Sequence, residues 1–246
     1  MTVRLSSVSA VFPAYNDAGT IPSMVLVALR ALPQVTGDYE VVVVNDGSRD
    51  YTAEVLADLA ALFPQLRVLT HTRNQGYGAA LRAGFAAAAK DWIFYTDGDA
   101  QYDAHELTLL AEAAAAHPAA AWINGYKIAR SDPLHRRIIG GLYHRFVKLA
   151  FGLPLRDTDC DFRLFRRDLL ARAPLTSTSG ALALELVKRF QLAGARPVEV
   201  PVHHYHRAYG GSQFFNFRRL ARTAAQLWRL WWQLRRTPPA PPQAPA

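Results

Sequence analysis

Residues 1–130 alternate between short, apolar, β-branched runs and longer alanine-rich stretches with helical spacing, and this alternation constrains the fold more than any other feature. The runs at 9–12, 40–45, 66–70 and 92–96 are short, rich in Val or aromatic residues and bounded by turn residues, as buried strands are. Between them, 20–32, 51–63 and 76–90 place apolar side chains three and four residues apart, as helices do. Consecutive strand–helix–strand units need crossovers, so the pattern predicts an α/β domain with a mainly parallel sheet and helices on both faces. Further strands are predicted at 120–125, 162–166 and 197–202, and further helices at 134–151 and 181–192.

In such sheets ligands bind outside the carboxyl ends of the strands, so chemistry is expected in the loops that follow them. Four of these loops carry unusual residues: Pro13-Ala14-Tyr15-Asn16-Asp17, Asn45-Asp46-Gly47-Ser48-Arg49-Asp50, Arg73-Asn74-Gln75-Gly76-Tyr77-Gly78 and Asp97-Gly98-Asp99-Ala100-Gln101. Asp97 and Asp99 offer two hard oxygen ligands on one turn, suited to Mg²⁺ or Mn²⁺ together with phosphate oxygens and water; a solvated turn with a helix cap is the plainer reading. Asp46 can accept from the N–H groups of a nucleobase or from ribose hydroxyls, or it can close an Asx-type turn before a helix. Asp50 is placed to cap that helix. The loop at 74–78 fits neither the P-loop nor the dinucleotide fingerprint, because Leu81 stands where a third glycine is needed; its expected role is close backbone approach at a helix start.

Taken in order, the four loops resemble those of the family 2 glycosyltransferases, which have the Rossmann-like GT-A fold. The likeness is greatest to the branch that glycosylates polyprenyl (dolichyl) phosphate. It extends over about residues 8–213 and includes Asp161-Phe162-Arg163-Leu164 and Arg207-Ala208-Tyr209-Gly210-Gly211-Ser212. Asp17 stands where glutamate is usual, Asn45 where aspartate is frequent, and Gln213 where lysine is usual. The resemblance implies that Pro13, Tyr15, Asp17, Asp46 and Asp97 hold a nucleotide-sugar donor. It implies further that Asp97, Asp99 and Gln101 hold Mg²⁺ or Mn²⁺ against the donor's diphosphate, where a metal stabilises the departing charge. On the acceptor side, Arg130, Arg136, Arg137, Arg207 and Ser212 are the candidates for binding the phosphate, guanidinium forks being suited to it. Arg136 and Arg137 also fit a solvated helix face. Asp161 is the expected base or acceptor-orienting group, with Asp157 and Asp159 as rivals, and Asp161, Asp99 and Arg207 form the expected catalytic set.

Charge divides the chain unevenly. Net charge is +8, yet from Pro201 onward there are seven arginines and no acid, while residues 1–200 hold 21 basic side chains against 20 acidic. Residues 214–236 have a helical pattern, with Phe217, Leu220, Ala224, Leu227, Trp231 and Leu234 on one side and Arg218, Arg222, Arg229 and Arg236 opposite. Such a helix either docks on the domain or lies at an anionic membrane surface, the latter favoured by arginine without acid and by Trp228, Trp231 and Trp232. No apolar run reaches the ~18 to 20 residues that a bilayer crossing needs. Nucleic acid is not an expected partner, because residues 1–200 are almost neutral and carry none of its binding motifs. Cys160 is the single cysteine, which excludes an intrachain disulfide and a multi-cysteine metal cluster. Residues 1–12 have no long apolar core of a signal peptide, so a cytosolic setting is expected.

The expected organisation is a GT-A domain at 1–213, a membrane-interfacial amphipathic helix at 214–236 and a disordered Pro/Ala tail at 237–246. The expected activity is metal-dependent, inverting transfer of a hexose from GDP-mannose or UDP-glucose to polyprenyl phosphate, with the enzyme held peripherally on the cytosolic membrane face. A saccharide or other lipid acceptor is the alternative, and a non-catalytic nucleotide-sugar-binding scaffold the second.

Overall fold

The computed structural model describes residues 5–130, 145, 147–206 and 217–235. Its strands are β1 (Val8–Ala14), β2 (Tyr39–Asn45), β3 (Leu66–Thr70), β4 (Trp92–Thr96), β5 (Trp122–Arg130), β6 (Phe162–Arg166) and β7 (Pro197–His204). Its α-helices are α1 (Ile21–Val35), α2 (Thr52–Leu62), α3 (Tyr77–Ala87), α4 (Leu107–Ala116), α5 (Asp168–Arg172), α6 (Ala181–Leu192) and α7 (Phe217–Arg235). The strands form one sheet in the order β3-β2-β1-β4-β6-β5-β7. Every pairing is parallel except the two made by β6, which runs against both β4 and β5.

Side chains alternate between two buried layers, as the two-residue period of a strand requires. Val8, Ala10, Phe12, Val41, Val43 and Phe94 face α1, α2 and α4, while Val11, Val42, Ile93 and Tyr95 face α3, α6 and α7. Helices thus cover both faces, as the sequence pattern predicts. Two helices escape that pattern. α4 (Leu-Thr-Leu-Leu-Ala-Glu-Ala-Ala-Ala-Ala) is apolar nearly all round and presents no stripe, and α5 has five residues. The helix expected at 134–151 falls largely outside the described residues, of which 145 and 147–151 are helical.

The sheet order creates a switch point. From β1 the chain builds outward to β2 and β3, then returns to add β4 on the other side of β1. Crevices form at such points beyond the carboxyl ends of the strands. Here the two strands also part early: β1 pairs with β4 from Val8 to Val11, whereas its pairing with β2 continues to Ala14. Pro13 lies in the unzipped stretch, where its missing N–H removes no bond to β4.

Candidate active site

The four loops converge at this crevice and are fastened to one another mainly by carboxylates that accept from backbone N–H groups. Asp17 accepts from the Tyr15 N–H at 2.9 Å, and its own N–H donates to Thr52 Oγ1 at 3.0 Å. Asp50 accepts from the Ala18 and Thr52 N–H groups at 3.2 and 3.1 Å, joining the β1–α1 loop to the start of α2. Burial acts to raise its pKa, but the Thr52 hydroxyl, which donates to Oδ1 at 2.5 Å, and then these N–H groups outweigh it and hold Asp50 below the usual aspartate range. Asn16 completes the seam in a left-handed conformation at φ 57°, accepting from the Arg49 N–H and donating its own N–H to Ser48 Oγ.

Asp46 is buried and ties β2 to the loop that opens α3. Its Oδ1 accepts from the Gln75 N–H at 2.8 Å and bonds His71 Nδ1 at 2.7 Å, while Oδ2 accepts from the Gly76 N–H at 2.8 Å. Most of its accepting capacity therefore shapes the pocket wall, which leaves one lone pair of Oδ2 for a ligand. The same loop makes the backbone approach expected of it: the Thr178 carbonyl accepts from the Gly78 and Ala79 N–H groups at 3.1 and 3.3 Å. A Cβ on Gly76 would stand 2.5 Å from that carbonyl oxygen, and Gly76 is at φ +101°.

The loop after β4 carries the acidic pair. Gly98 lies against β1, where a Cβ would come within 2.5 Å of the Pro13 carbonyl oxygen. This contact holds the turn that carries Asp97 and Asp99 against β1. Asp99 is 6% exposed and accepts from the Gln101 N–H at 3.1 Å. The Gln101 side-chain nitrogen donates to the Tyr205 carbonyl at 3.1 Å, so its amide oxygen is what Gln101 can offer a cation. Asp97 accepts from the Tyr77 hydroxyl at 2.6 Å. Burial, Asp161 and Asp99 push the Asp97 carboxyl well above its ordinary range, against the weaker opposing effects of Tyr77 and Lys127. Tyr77 remains a donor, because burial beside Asp161 and Asp97 keeps its hydroxyl from ionising.

Asp161 precedes β6 and faces this pair from the other side of β4. Its Oδ1 accepts from the Tyr95 hydroxyl at 3.2 Å and from Arg163 Nη1 at 3.0 Å. Its rivals are placed differently. Asp157 is buried and spends its carboxylate on the Asp159 and Lys127 N–H groups, and Asp159 is exposed. Asp161 is the member of the three that electrostatically burdens Asp97.

The structure thus assembles Pro13, Tyr15, Asp17, Asp46, Asp97, Asp99, Gln101 and Asp161 around one crevice. Arg136, Arg137, Arg207 and Ser212 lie outside the described residues, as does the side chain of Arg130, whose backbone pairs with His204 at the end of β5. Sequence reasoning passed over four contributors: His71, Tyr77, Tyr95 and Arg163. Arg163 left a signal, since a charge inside the apolar run of β6 needs a buried partner.

The donor set fits a hard divalent cation. Asp97 and Asp99 place two carboxylates on one turn, and a cation there would relieve the repulsion that Asp161 and Asp99 exert on Asp97. Among the described residues no three carboxylate, imidazole or thiolate side chains converge on one point, so diphosphate oxygens and water would complete the shell.

The C-terminal half of α7 docks on the domain through Leu227, Trp231 and Leu234 of the expected stripe together with Leu230, while the side chains of Phe217, Leu220 and Ala224 lie outside the described residues. Leu230 and Leu234 are buried against the α3 and α6 layer, and Trp231 Nε1 donates to the Ala150 carbonyl at 2.9 Å. Trp228 and Trp232 stay 65% and 49% exposed, with Leu149 of the adjoining segment 85% exposed. Among the described residues no helix is long and apolar enough to cross a membrane.

Comparison with known proteins agrees with this architecture. The chain is 29% identical over 214 residues to an undecaprenyl-phosphate 4-deoxy-4-formamido-L-arabinose transferase of Aeromonas hydrophila, covering 84% of this chain and 62% of that protein. It is 32% identical over 173 residues to a dolichyl-phosphate beta-glucosyltransferase of Trichomonas vaginalis, covering 64% of this chain and 51% of that protein. The chain therefore spans about three fifths of the length of the curated relatives it matches. Glucosyl-3-phosphoglycerate synthase from Mycobacterium tuberculosis, solved with Mn²⁺, uridine diphosphate and glucosyl-3-phosphoglycerate, superposes with a TM-score of 0.71 at 18% identity, over 93% of this chain and 80% of that one. At that identity the likeness concerns the fold, which is GT-A. The family model described as "Glycosyl transferase family 2" matches residues 9–173, a span running from β1 through α5 that contains every crevice carboxylate described above. On that match the chain belongs to glycosyl transferase family 2.

Proposed function

We propose that this protein transfers a sugar from a nucleotide-sugar donor to polyprenyl phosphate, inverting the anomeric carbon, at the cytosolic face of a membrane. The observation that carries the reading is the placement of Asp161 opposite Asp97 and Asp99 across the end of β4, with the Asp46-clamped loop beside them. One wall then suits a nucleoside diphosphate and the other an acceptor. Both relatives named above are polyprenyl-phosphate sugar transferases, one of a pentose and one of a glucosyl unit. GDP-mannose and UDP-glucose are the donors to test first, with a nucleotide donor of 4-deoxy-4-formamido-L-arabinose third.

In this reading Pro13, Tyr15, Asp17 and Asp46 line the nucleoside end, and Asp97, Asp99 and the Gln101 amide oxygen hold Mg²⁺ or Mn²⁺. A bound divalent cation would act as a Lewis acid on the leaving diphosphate. The acceptor phosphate has a second pKa near ~6, so at neutral pH it is largely a dianion and already nucleophilic. Asp161 orients it and takes up any proton the attacking oxygen still carries. Arg130, Arg136, Arg137, Arg207 and Ser212 bind the phosphate. The lipid is met at the bilayer surface through Trp228, Trp232 and Leu149, the exposed apolar groups on and beside α7, with the arginines of that helix as counter-charges to anionic lipid.

The test is radiolabel transfer into butanol-extractable lipid by purified protein on anionic vesicles containing polyprenyl phosphate. Each donor is run with Mg²⁺, with Mn²⁺ and with EDTA. Metal-dependent label in the lipid is expected, falling at least about 100-fold in Asp99→Ala, the scale of losing a main electrostatic stabiliser of the transition state. Label that appears only in a saccharide acceptor, or in EDTA as readily as in metal, would overturn the reading.

A further inference from the structure

Arg163 is the second residue of β6, and its side chain is wholly buried. Burying a guanidinium carries a desolvation cost of several kcal/mol unless its donors are paired. Here they are paired across four parts of the chain. Nε donates to Asn124 Oδ1 on β5 at 2.7 Å, and Nη2 donates to the Thr158 carbonyl at 3.0 Å. Nη1 donates both to the Tyr95 hydroxyl on β4 and to Asp161 Oδ1, the latter at 3.0 Å. Three of these acceptors are neutral, and Asp161 answers the charge.

The pairing is lopsided on the carboxylate. Tyr95 and Arg163 both bond Oδ1, so among the described residues Oδ2 is the oxygen of Asp161 left for a ligand. Asp161 is 17% exposed, against 0% for Arg163, so the pair has one end in the core and one at the crevice. Buried ion pairs of this kind add little net stability, since well-packed apolar residues of similar volume often do as well or better. What the fork does supply is a fixed side-chain geometry, as a planar guanidinium with several anchored nitrogens cannot swivel. Tyr95 is itself immobilised by edge contacts with Phe85 and Phe165 at centroid distances of 5.2 and 6.3 Å.

We propose that Arg163 is a positioning residue for sugar transfer: with the Tyr95 hydroxyl it locks Asp161 by one oxygen and aims the other at the acceptor. The inference rests on the acceptor role of Asp161 given above. Arg163 touches neither donor nor acceptor and works through that carboxylate.

The test is a double-mutant cycle in the full chain with Arg163→Lys and Asp161→Asn, measuring kcat, both KM values, nucleotide affinity by calorimetry and the thermal midpoint. Alone, Arg163→Lys is expected to lower kcat by about 10- to 100-fold, within the range of a mispositioned acid–base group, with nucleotide affinity changed by less than about twofold. In the Asp161→Asn background it is expected to change kcat by less than about threefold, because a residue acting through another has nothing left to act on. Multiplicative losses in the double variant, or a fall in nucleotide affinity matching the fall in kcat, would mean a structural role and overturn the proposal. Should Arg163→Lys fail to fold, Tyr95→Phe keeps the ring contacts and removes the hydroxyl; it is expected to lower kcat less, and to be silent in the Asp161→Asn background. If the wild type glycosylates a saccharide and not polyprenyl phosphate, the acceptor reading falls, while the same cycle run with that saccharide still decides the role of Arg163.

Discussion

The two sides of the crevice are built by different means. On the side proposed for the donor, Asp17, Asp46, Asp50 and Asp99 each accept from backbone N–H groups of loops at the carboxyl ends of β1, β2, β3 and β4. On the side proposed for the acceptor, Asp161 is held by the side chains of Tyr95 and Arg163, and Arg163 in turn by Asn124 and the Thr158 carbonyl. The contrast follows from supply. Backbone donors are present at every non-proline residue, so a carboxylate in a tight loop finds them nearby and the motif compresses into a few positions. A buried guanidinium has five donors to satisfy and must draw acceptors from strands far apart in sequence. The donor wall should accordingly fail by loss of loop geometry, and the acceptor wall by loss of aim.

Removing Asp46 should expose that difference most strongly. Asp46→Ala strands two backbone N–H groups and His71 in a partly buried loop, a loss of about 3 kcal/mol if water rescues some of them. For a chain of this size that is roughly 6–12 °C in thermal midpoint. Nucleotide affinity measured by calorimetry should be lost with it, and Asp46→Asn should recover part of both. A variant that melts as the wild type does and still binds nucleotide would show that the loop does not depend on this clamp.

Gly98→Ala is the next test, and it acts on backbone alone. The added methyl would stand 2.5 Å from the Pro13 carbonyl oxygen and 3.1 Å from Ile21 Cδ1, so the turn carrying Asp97 and Asp99 must lift from β1. A cost of about 2 kcal/mol is expected, within the ordinary range for introduced strain. Nucleotide-diphosphate affinity in the presence of Mn²⁺ should fall about tenfold, the equivalent of ~1.4 kcal/mol. Equal affinity in both proteins would mean that the acidic pair does not need this seat.

Legibility in the sequence follows the same division. All seven strands overlap the apolar runs that predict them, but β5 begins at Trp122 and runs on to Arg130 where 120–125 is expected, and β3, expected to be buried, is an edge strand with Leu66 its one buried residue. The donor loops were legible for the reason given above. The direction of β6 was not, since the polarity of a strand depends on partners far away in the chain, Trp92–Thr96 on one side and Trp122–Asn124 on the other. α1 runs on to Val35, three residues past the predicted end at 32, with Pro33 inside its last turn. Tyr77 was hidden by its own motif: the glycines around it explain the backbone, and nothing local announces that its hydroxyl reaches Asp97, twenty residues on. α7 shows the limit from another direction. A stripe does not say whether protein or lipid covers it, and in the structure Leu234 of the expected stripe, with Leu230 beside it, is covered by the domain.

The smallest predicted effect has the opposite sign to the others. Asp97 sits among Asp99 and Asp161, and its carboxyl is raised well above the ordinary range by burial first and by those two charges next. A carboxyl whose folded pKa is raised takes up a proton on folding, so it opposes folding increasingly as pH rises from the unfolded range through the folded value. Asp97→Asn keeps an oxygen to accept from Tyr77 and removes the charge. In EDTA at pH 8 the variant should therefore melt about 2–4 °C above the wild type, what ~1 kcal/mol is worth in a chain of this size. The gap should close as pH falls and the wild-type carboxyl is neutralised. Adding Mn²⁺ with nucleotide diphosphate should reverse the order, because ligand binding stabilises the folded wild type by RT ln(1 + [L]/Kd) and the variant has lost one of its two anionic ligands. A variant that melts lower than the wild type in EDTA at pH 8 would mean that the Tyr77 bond to a charged Asp97 outweighs the repulsion from Asp161. The donor wall would then share the side-chain anchoring that distinguishes the acceptor wall.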